Sequence, residues 1–354
     1  EEVKDDTINI IFNIFEGEKK LIERINIKGN TVTNEDVIRG ELISDEGDPF
    51  ILVGLEKSIS KLKSRNIFKD VKYEIIDGSD NNLKIVDIIV EERPTGEISA
   101  GAGVGTSGGA ISLGVKENNW LGTGNAVEFK IDLDEESLSG ILSFSDPNYN
   151  YLGNSINYFL KSESNDKPDQ GYENTVVSAG GGTSFEQYKD LRVSLGTSFS
   201  YDDLRTLSSA TDALKKNSGE FTELSVNYGL SHDKRDRTFM PTRGGVTSFS
   251  QTIPVYADKS FISNTFAHSS YKSLTENIVG AGKFYVSSIN GLGSDDVRLS
   301  KRRSLSGKRL RGFEKGKVGP LDGTDHIGGN YSAALNFEAN LPNLLPENTK
   351  TDVS

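Results

Sequence analysis

From Pro94 onward, apolar and polar residues alternate in one segment after another. Val127, Phe129, Ile131 and Leu133 stand against Glu128, Lys130 and Asp132, and Leu191, Val193, Leu195 and Phe199 stand against Arg192, Ser194 and Ser198. A period of two is that of a β-strand, whose successive side chains point to opposite faces. The pattern predicts strands at Glu97–Gly105, Ala110–Lys116, Val127–Leu133, Leu138–Phe144, Ser155–Leu160, Asn174–Gly182, Leu191–Tyr201, Glu223–Leu230 and Val246–Ile253. Three more follow through Leu341, about twelve in all. The last, Tyr331 to Leu341, sets Tyr331, Leu335 and Phe337 on one side and Ser332, Asn336 and Glu338 on the other.

Before Arg93-Pro94 the pattern mixes two periods. Strands are predicted at Leu21–Lys28, Val71–Ile76 and Leu83–Val90, and helices at Thr33–Leu42 and Val53–Ser64. Thr33 followed by Asp36 resembles a capping box, with Gly29-Asn30 as the turn before it. Leu55, Ile59 and Leu62 form one apolar helical stripe. The order β-α-α-β-β makes a small α+β module over residues 18–93. Ahead of it, Thr7 to Phe15 alternates through Ile8, Ile10, Phe12 and Ile14, and residues 1–17 are expected to carry the last strand of a preceding domain. The chain opens on that strand without a charged and apolar leader, so it is expected to belong to a longer protein.

Composition narrows the class. The 354 residues are only 34% hydrophobic, and no run of about 18 apolar residues could cross a bilayer as a helix. A transmembrane β-barrel passes this test, because only alternate residues meet lipid and the mean hydropathy of -0.44 averages the two faces. The same alternation fits a soluble β-sandwich. The connections favour the barrel: short turns such as Thr106–Gly109 and Asp134–Glu136 alternate with long polar ones at Ser162–Tyr172, Asp202–Gly219 and Gly291–Gly328, as if the two barrel ends faced different sides. A net charge of -12 argues against nucleic acid as a partner. The absence of cysteine removes disulfides and thiolate metal sites.

Two enzyme-like motifs fail on context. Gly105-Thr106-Ser107-Gly108-Gly109 matches a nucleophile elbow, and Gly103 to Gly108 matches a dinucleotide fingerprint, but both require a following helix where an alternating strand is predicted. His232, His268 and His326 lack paired spacing for a metal. The chain is therefore expected not to be an enzyme and to hold neither metal nor cofactor.

One loop stands out. Leu310-Arg311-Gly312-Phe313 lies among Lys301, Arg302, Arg303, Lys308, Arg309, Lys315 and Lys317, and the next predicted strand aims Glu338 inward if its apolar side faces lipid. Glu128 and Asp132 share that polar face. A folded-in tip, with Phe313 beside a permissive glycine and Arg311 bidentate on Glu338, would pin the loop and brace the wall. Loss of Arg311 is then expected to loosen the loop.

These motifs resemble the BamA family of outer-membrane assembly factors. Lys20 to Glu92, with Gly47-Asp48-Pro49-Phe50 between its helices, resembles the family's last POTRA domain before the barrel. Asn119 to Gly124 resembles the turn after the second barrel strand, and Arg235-Asp236-Arg237 with Pro241-Thr242-Arg243-Gly244 resembles the entry to a mid-barrel strand. Leu310 to Phe313 resembles the signature of the long sixth extracellular loop, and Gly328-Gly329-Asn330 with Glu338 the strand after it.

The resemblance implies a POTRA domain followed, over residues 94–354, by an antiparallel transmembrane β-barrel, incomplete at the C-terminus because the family barrel has about sixteen strands. It implies an outer-membrane location with the POTRA domain in the periplasm, and a role in folding and inserting barrel proteins. Its partners would be unfolded outer-membrane proteins, BamD-like lipoprotein subunits and outer-membrane lipid. The first strand, with Gly96, Ile98, Gly101, Gly103 and Gly105, would form a lateral gate that templates client strands by β-augmentation. Exposed Arg39 and Glu41 on the first helix are candidate contacts for a lipoprotein. A two-partner-secretion or TamA-like transporter, or a β-rich surface protein outside the membrane, are the alternatives.

Overall fold

A computed structural model of the chain describes residues 2–4, 7–9, 18–105, 108–275, 277–305, 309–314 and 316–341. It divides into two units, Glu1–Thr95 with Leu121–Gly124, and the remainder from Gly96.

In the first unit, β1 (Glu2–Lys4) pairs with β2 (Thr7–Asn9). The rest of the strand expected to run to Phe15 lies outside the described residues. Next come β3 (Leu21–Lys28), α1 (Glu35–Arg39), α2 (Leu52–Ser64), β4 (Phe68–Asp77) and β5 (Leu83–Glu92). The sheet order is β3-β5-β4, with β5 parallel to β3 and antiparallel to β4. The predicted stripe on α2 faces the core: Ile59 and Leu62 are buried with Ile25, Ile38 and Ile88, and Leu55, partly buried, packs against them. Each such burial is worth roughly 1.5–3 kcal/mol.

Helix α1 is shorter than Thr33–Leu42, because Thr33 is committed elsewhere. Its backbone N–H donates to Glu92 Oε1 at 2.6 Å, and the N-cap is Asn34, which makes no side-chain capping bond. Glu92 also accepts from the Thr31 hydroxyl at 2.6 Å and from the N–H groups of Thr31 and Val32. Burial pushes this carboxyl up, but the bonds from Thr31, Thr33 and Val32 outweigh it and hold the pKa at about 2. Leu121–Gly124 packs in this unit: Asn34 N–H donates to the Gly122 carbonyl and Arg65 Nη2 to the Gly124 carbonyl, both at 2.8 Å. Gly122 has φ +76, and a Cβ there would lie 2.1 Å from the Val32 carbonyl oxygen, so no side chain fits.

Among the described residues the second unit is a twelve-stranded antiparallel sheet. Its strands are β6 (Gly96–Gly105), β7 (Gly108–Glu117), β8 (Ala126–Asp134), β9 (Ser137–Tyr149), β10 (Asn154–Lys167), β11 (Tyr172–Tyr188) and β12 (Leu191–Thr206). They continue through β13 (Gly219–Asp233), β14 (Gly244–Ala257), β15 (Phe261–Thr275), β16 (Ile278–Gly291) and β19 (Tyr331–Asn340). Between the last two lies a small hairpin of β17 (Leu321–Asp322) and β18 (Asp325–His326), and α3 (Asp212–Lys215) joins β12 to β13. The predicted alternation holds in β19, where Tyr331, Leu335 and Phe337 are exposed and Ser332, Asn336 and Glu338 are not.

Three expectations are corrected. Most strands extend past their predicted ends, and Ser162–Tyr172 is not a long loop: β10 and β11 stay paired to Lys167↔Tyr172, since polar residues continue a strand as well as apolar ones once side chains leave the apolar band. Short and long connections do not mark opposite ends. The turns between β6 and β7 and between β8 and β9 lie at the same end as the loops after β10, β12 and β16, because in an antiparallel sheet every second connection returns to one end. The stretch with the enzyme-like motifs leads into β7 through the pair Gly105↔Gly108, a hairpin with no helix after it. Among the described residues the sheet has two edges, β6 and β19.

Candidate functional site

The long connection from Leu292 to Asn330 meets the polar face of the sheet at two seats. The first is the expected one. Arg311 Nη2 lies 3.4 Å from Glu338 Oε1, so the topology brings the two predicted residues together. The contact is single rather than bidentate, because Lys283 on neighbouring β16 takes the other carboxylate oxygen at 2.5 Å. Arg311 stays 61% exposed against 10% for Glu338. Phe313 is exposed too, so the tip is not folded in as predicted, although Gly312 has the expected positive φ, +83. Leu310 is half-buried. Two neighbours hold the tip as firmly: the Arg309 guanidinium stacks 3.5 Å from the Tyr285 ring centroid, and Asn336 Nδ2 donates to the Arg309 carbonyl at 3.0 Å. Asp132 pairs with Lys130 instead of the loop.

The second seat was not predicted. Val297, Arg298 and Leu299 are consecutive and almost fully buried. Val297 packs with Phe261 and Ile289, and Leu299 with Tyr172, Leu204 and Phe221. Between them Arg298, 1% exposed, donates from Nη2 to Glu223 Oε2 at 3.0 Å and lies 3.7 Å from Asp202 Oδ2 through Nη1. Its guanidinium sits 4.8 Å from the Phe221 ring centroid and 5.1 Å from that of Phe261. Lys301 reaches Glu223 at 3.3 Å, while Ser300 and Asn174 each donate to Asp202 at 2.7 Å. The sequence carried a signal, a cation flanked by aliphatics inside a polar loop, but it was hidden in a run of basic residues.

The residues that the resemblance marks as a lateral gate, Gly96, Ile98, Gly101, Gly103 and Gly105, all lie on β6. Among the described residues the strand pairs only with β7, and it is exposed from Gly96 to Val104, Ile98 at 87% and Val104 at 92%. Cβ atoms on Gly101 or Gly103 would meet nothing within 4 Å, so the glycines leave the strand without packing. Gly96 and Gly105 are its ends.

The helix pair is corrected. Arg39 is half-buried, donating to Glu35 Oε1 at 2.7 Å and to the Ile25 carbonyl at 3.0 Å. Glu41 is buried and pairs with Arg65 at 3.1 Å. Residues two apart do not share a helix face, and α1 ends at Arg39, so the two never formed one exposed patch. Among the described residues no group of three or more His, Asp or Glu side chains could hold a metal.

The model of the Omp85 superfamily domain matches residues 119–353. The chain belongs to the Omp85 superfamily. In the first unit, residues 21–93 match the POTRA model, described as a surface antigen variable number repeat, so this Omp85 chain has a POTRA-type domain before its sheet. It is 28% identical to the outer membrane protein assembly factor BamA of Neorickettsia risticii over 96% of this chain and 46% of that protein. It is 25% identical to the human sorting and assembly machinery component 50 homolog over 93% of this chain and 73% of that one. The crystal structure of BamA from Haemophilus ducreyi lacking POTRA domains 1-3 superposes with a TM-score of 0.80 at 22% identity, covering 94% of this chain and 70% of that one. CdiB from Acinetobacter baumannii gives 0.57 at 13% identity, covering 93% and 61%. The chain is thus BamA-like and spans about half the length of the BamA relatives it matches. Its twelve strands correspond to part of a barrel wall that is not closed over the described residues, and the homology supports an outer-membrane location.

Proposed function

We propose that this Omp85 protein folds and inserts β-barrel proteins into the bacterial outer membrane as the core of a barrel assembly machinery, with strand templating at β6. The POTRA domain lies in the periplasm and docks unfolded clients and BamD-like lipoprotein subunits, and the long loops face outward. The observation that carries the reading is β6, exposed on both faces and paired on one side only among the described residues. An unpaired backbone group in hydrocarbon costs several kcal/mol. A client strand adding to β6 satisfies its own N–H and C=O groups as it enters, while outer-membrane lipid meets the apolar face. The step needs no covalent chemistry, nucleotide or metal, and the acidic chain is unsuited to nucleic acid. Names of the relatives support this role: BamA is an outer membrane protein assembly factor and the human relative a sorting and assembly component. Fold likeness to CdiB supports a second reading, a secretion transporter of the two-partner or TamA-like kind.

The test places a photocrosslinker at Ala100 of β6 in the full protein, in membranes engaged with a stalled client barrel. Capture of the client's terminal strand is expected. No client capture at Ala100 sinks the templating reading, and capture of a secreted passenger instead favours the transporter.

A further inference from the structure

Arg298 is as buried as Ile289 and Val297, at 1% exposure, and it sits in a loop. Taking a guanidinium out of water costs several kcal/mol unless partners replace the lost hydration. Here the replacement is partial: Nη2 donates to Glu223, Nη1 faces Asp202 at 3.7 Å without a hydrogen bond, and Nε has no hydrogen-bond partner among the described residues; the surrounding groups come from separate strands. Asp202 lies on β12, Glu223 and Phe221 on β13, Phe261 on β15, and Asn174 of β11 holds the far oxygen of Asp202. Two cations, Arg298 and Lys301, face two carboxylates, Asp202 and Glu223. Two other connections at this end join the same layer. Thr211, before α3, donates to Asp322 of β17 at 3.1 Å, and Lys317 pairs with Asp169 at 3.1 Å.

We propose that Arg298 is the positioning residue that fastens this layer: it pins the loop's first arm across the long-loop mouth of the wall, closing that mouth to small solutes independently of Arg311. The charge is suited to the task because an aliphatic residue at the same place would leave Asp202 buried without a cation and Glu223 with Lys301 alone. The rings of Phe221 and Phe261 fix the guanidinium plane, so the arm is held in direction as well as depth. This inference goes beyond the assembly role and does not depend on it.

The experiment uses the full protein in liposomes and planar bilayers, with heat-modifiable gel migration to confirm a folded barrel. Arg298→Met, Arg298→Lys and Arg311→Ala are compared for protease cleavage between residues 292 and 330 and for ion conductance. Arg298→Met is expected to raise cleavage about tenfold or more, as a local opening would, and to raise conductance. Arg298→Lys keeps the charge and restores most of both, whereas Arg311→Ala changes neither by more than about twofold. Wild-type cleavage and conductance in folded Arg298→Met overturn the proposal. If that variant does not refold, Glu223→Gln decides: faster cleavage supports the fastening, and a wild-type rate overturns it. Neither readout involves a client, so failure here and failure of the assembly reading are separate results.

Discussion

Arg298 and Arg311 sit in one loop, each facing carboxylates on the polar face of one sheet, and they are held by different physics. Arg311 carries the recognisable motif, yet it is 61% exposed and makes one 3.4 Å contact to a carboxylate that Lys283 already occupies. Arg298 has no motif, yet it is dry, doubly paired and flanked by two rings. An exposed pair contributes about 0–1 kcal/mol, whereas breaking a buried one costs about 3–5 kcal/mol. A recognisable motif therefore does not measure how firmly a contact holds; burial does.

The largest expected effect tests that contrast directly. Arg298→Ala should destabilise the arm by about 3–5 kcal/mol, read as lost hydrogen-exchange protection at residues 296–303. If the arm stays as protected as in wild type, the two seats are alike. Next is a half-buried carboxylate in the POTRA domain, held by several hydrogen bonds. The Glu92 pKa is lowered to about 2, so its stabilisation is complete above the unfolded value near 4.5 and is lost as pH falls through 2, at most about 3 kcal/mol. Urea unfolding of the first unit, followed by hydrogen exchange in the full protein, should weaken over that window in wild type and stay flat in Glu92→Gln.

Glu338→Gln should cost roughly 1–3 kcal/mol at the tip, more than Arg311→Ala, because it removes the partner of Lys283 as well. Equal effects in the two variants would mean that Arg311 alone uses the carboxylate. Smallest is Arg311→Ala itself, within about 1 kcal/mol, since Arg309 on Tyr285 and the Asn336 amide remain. Raising salt to 1 M should mimic that variant and leave the Arg298 seat unchanged, because screening acts on exposed charges. A comparable loss of protection at both seats in high salt would remove the distinction.

How much was legible follows from the range of each interaction. The apolar stripe on α2 and the faces of β19 could be read because helix and strand periods are local. The pairing of Arg311 with Glu338 could be read because the strand faces were known and the loop is contiguous with its strand. The exposure of Glu41 was misread because Arg65, its partner, is 24 positions away. The start of α1 was misread because Thr33 bonds Glu92 across 59 positions.

The sequence by itself determined the α+β domain, the twelve strands and which side of each is apolar, since alternation depends only on neighbouring residues. Tertiary structure alone decided which cation of a basic loop is dry. Arg298 meets Glu223 across 75 positions, and Ser300 beside it meets Asp202 across 98. Contacts at such separations exist only once the sheet has brought the strand ends together, and that closure supplies the desolvation that sets their strength.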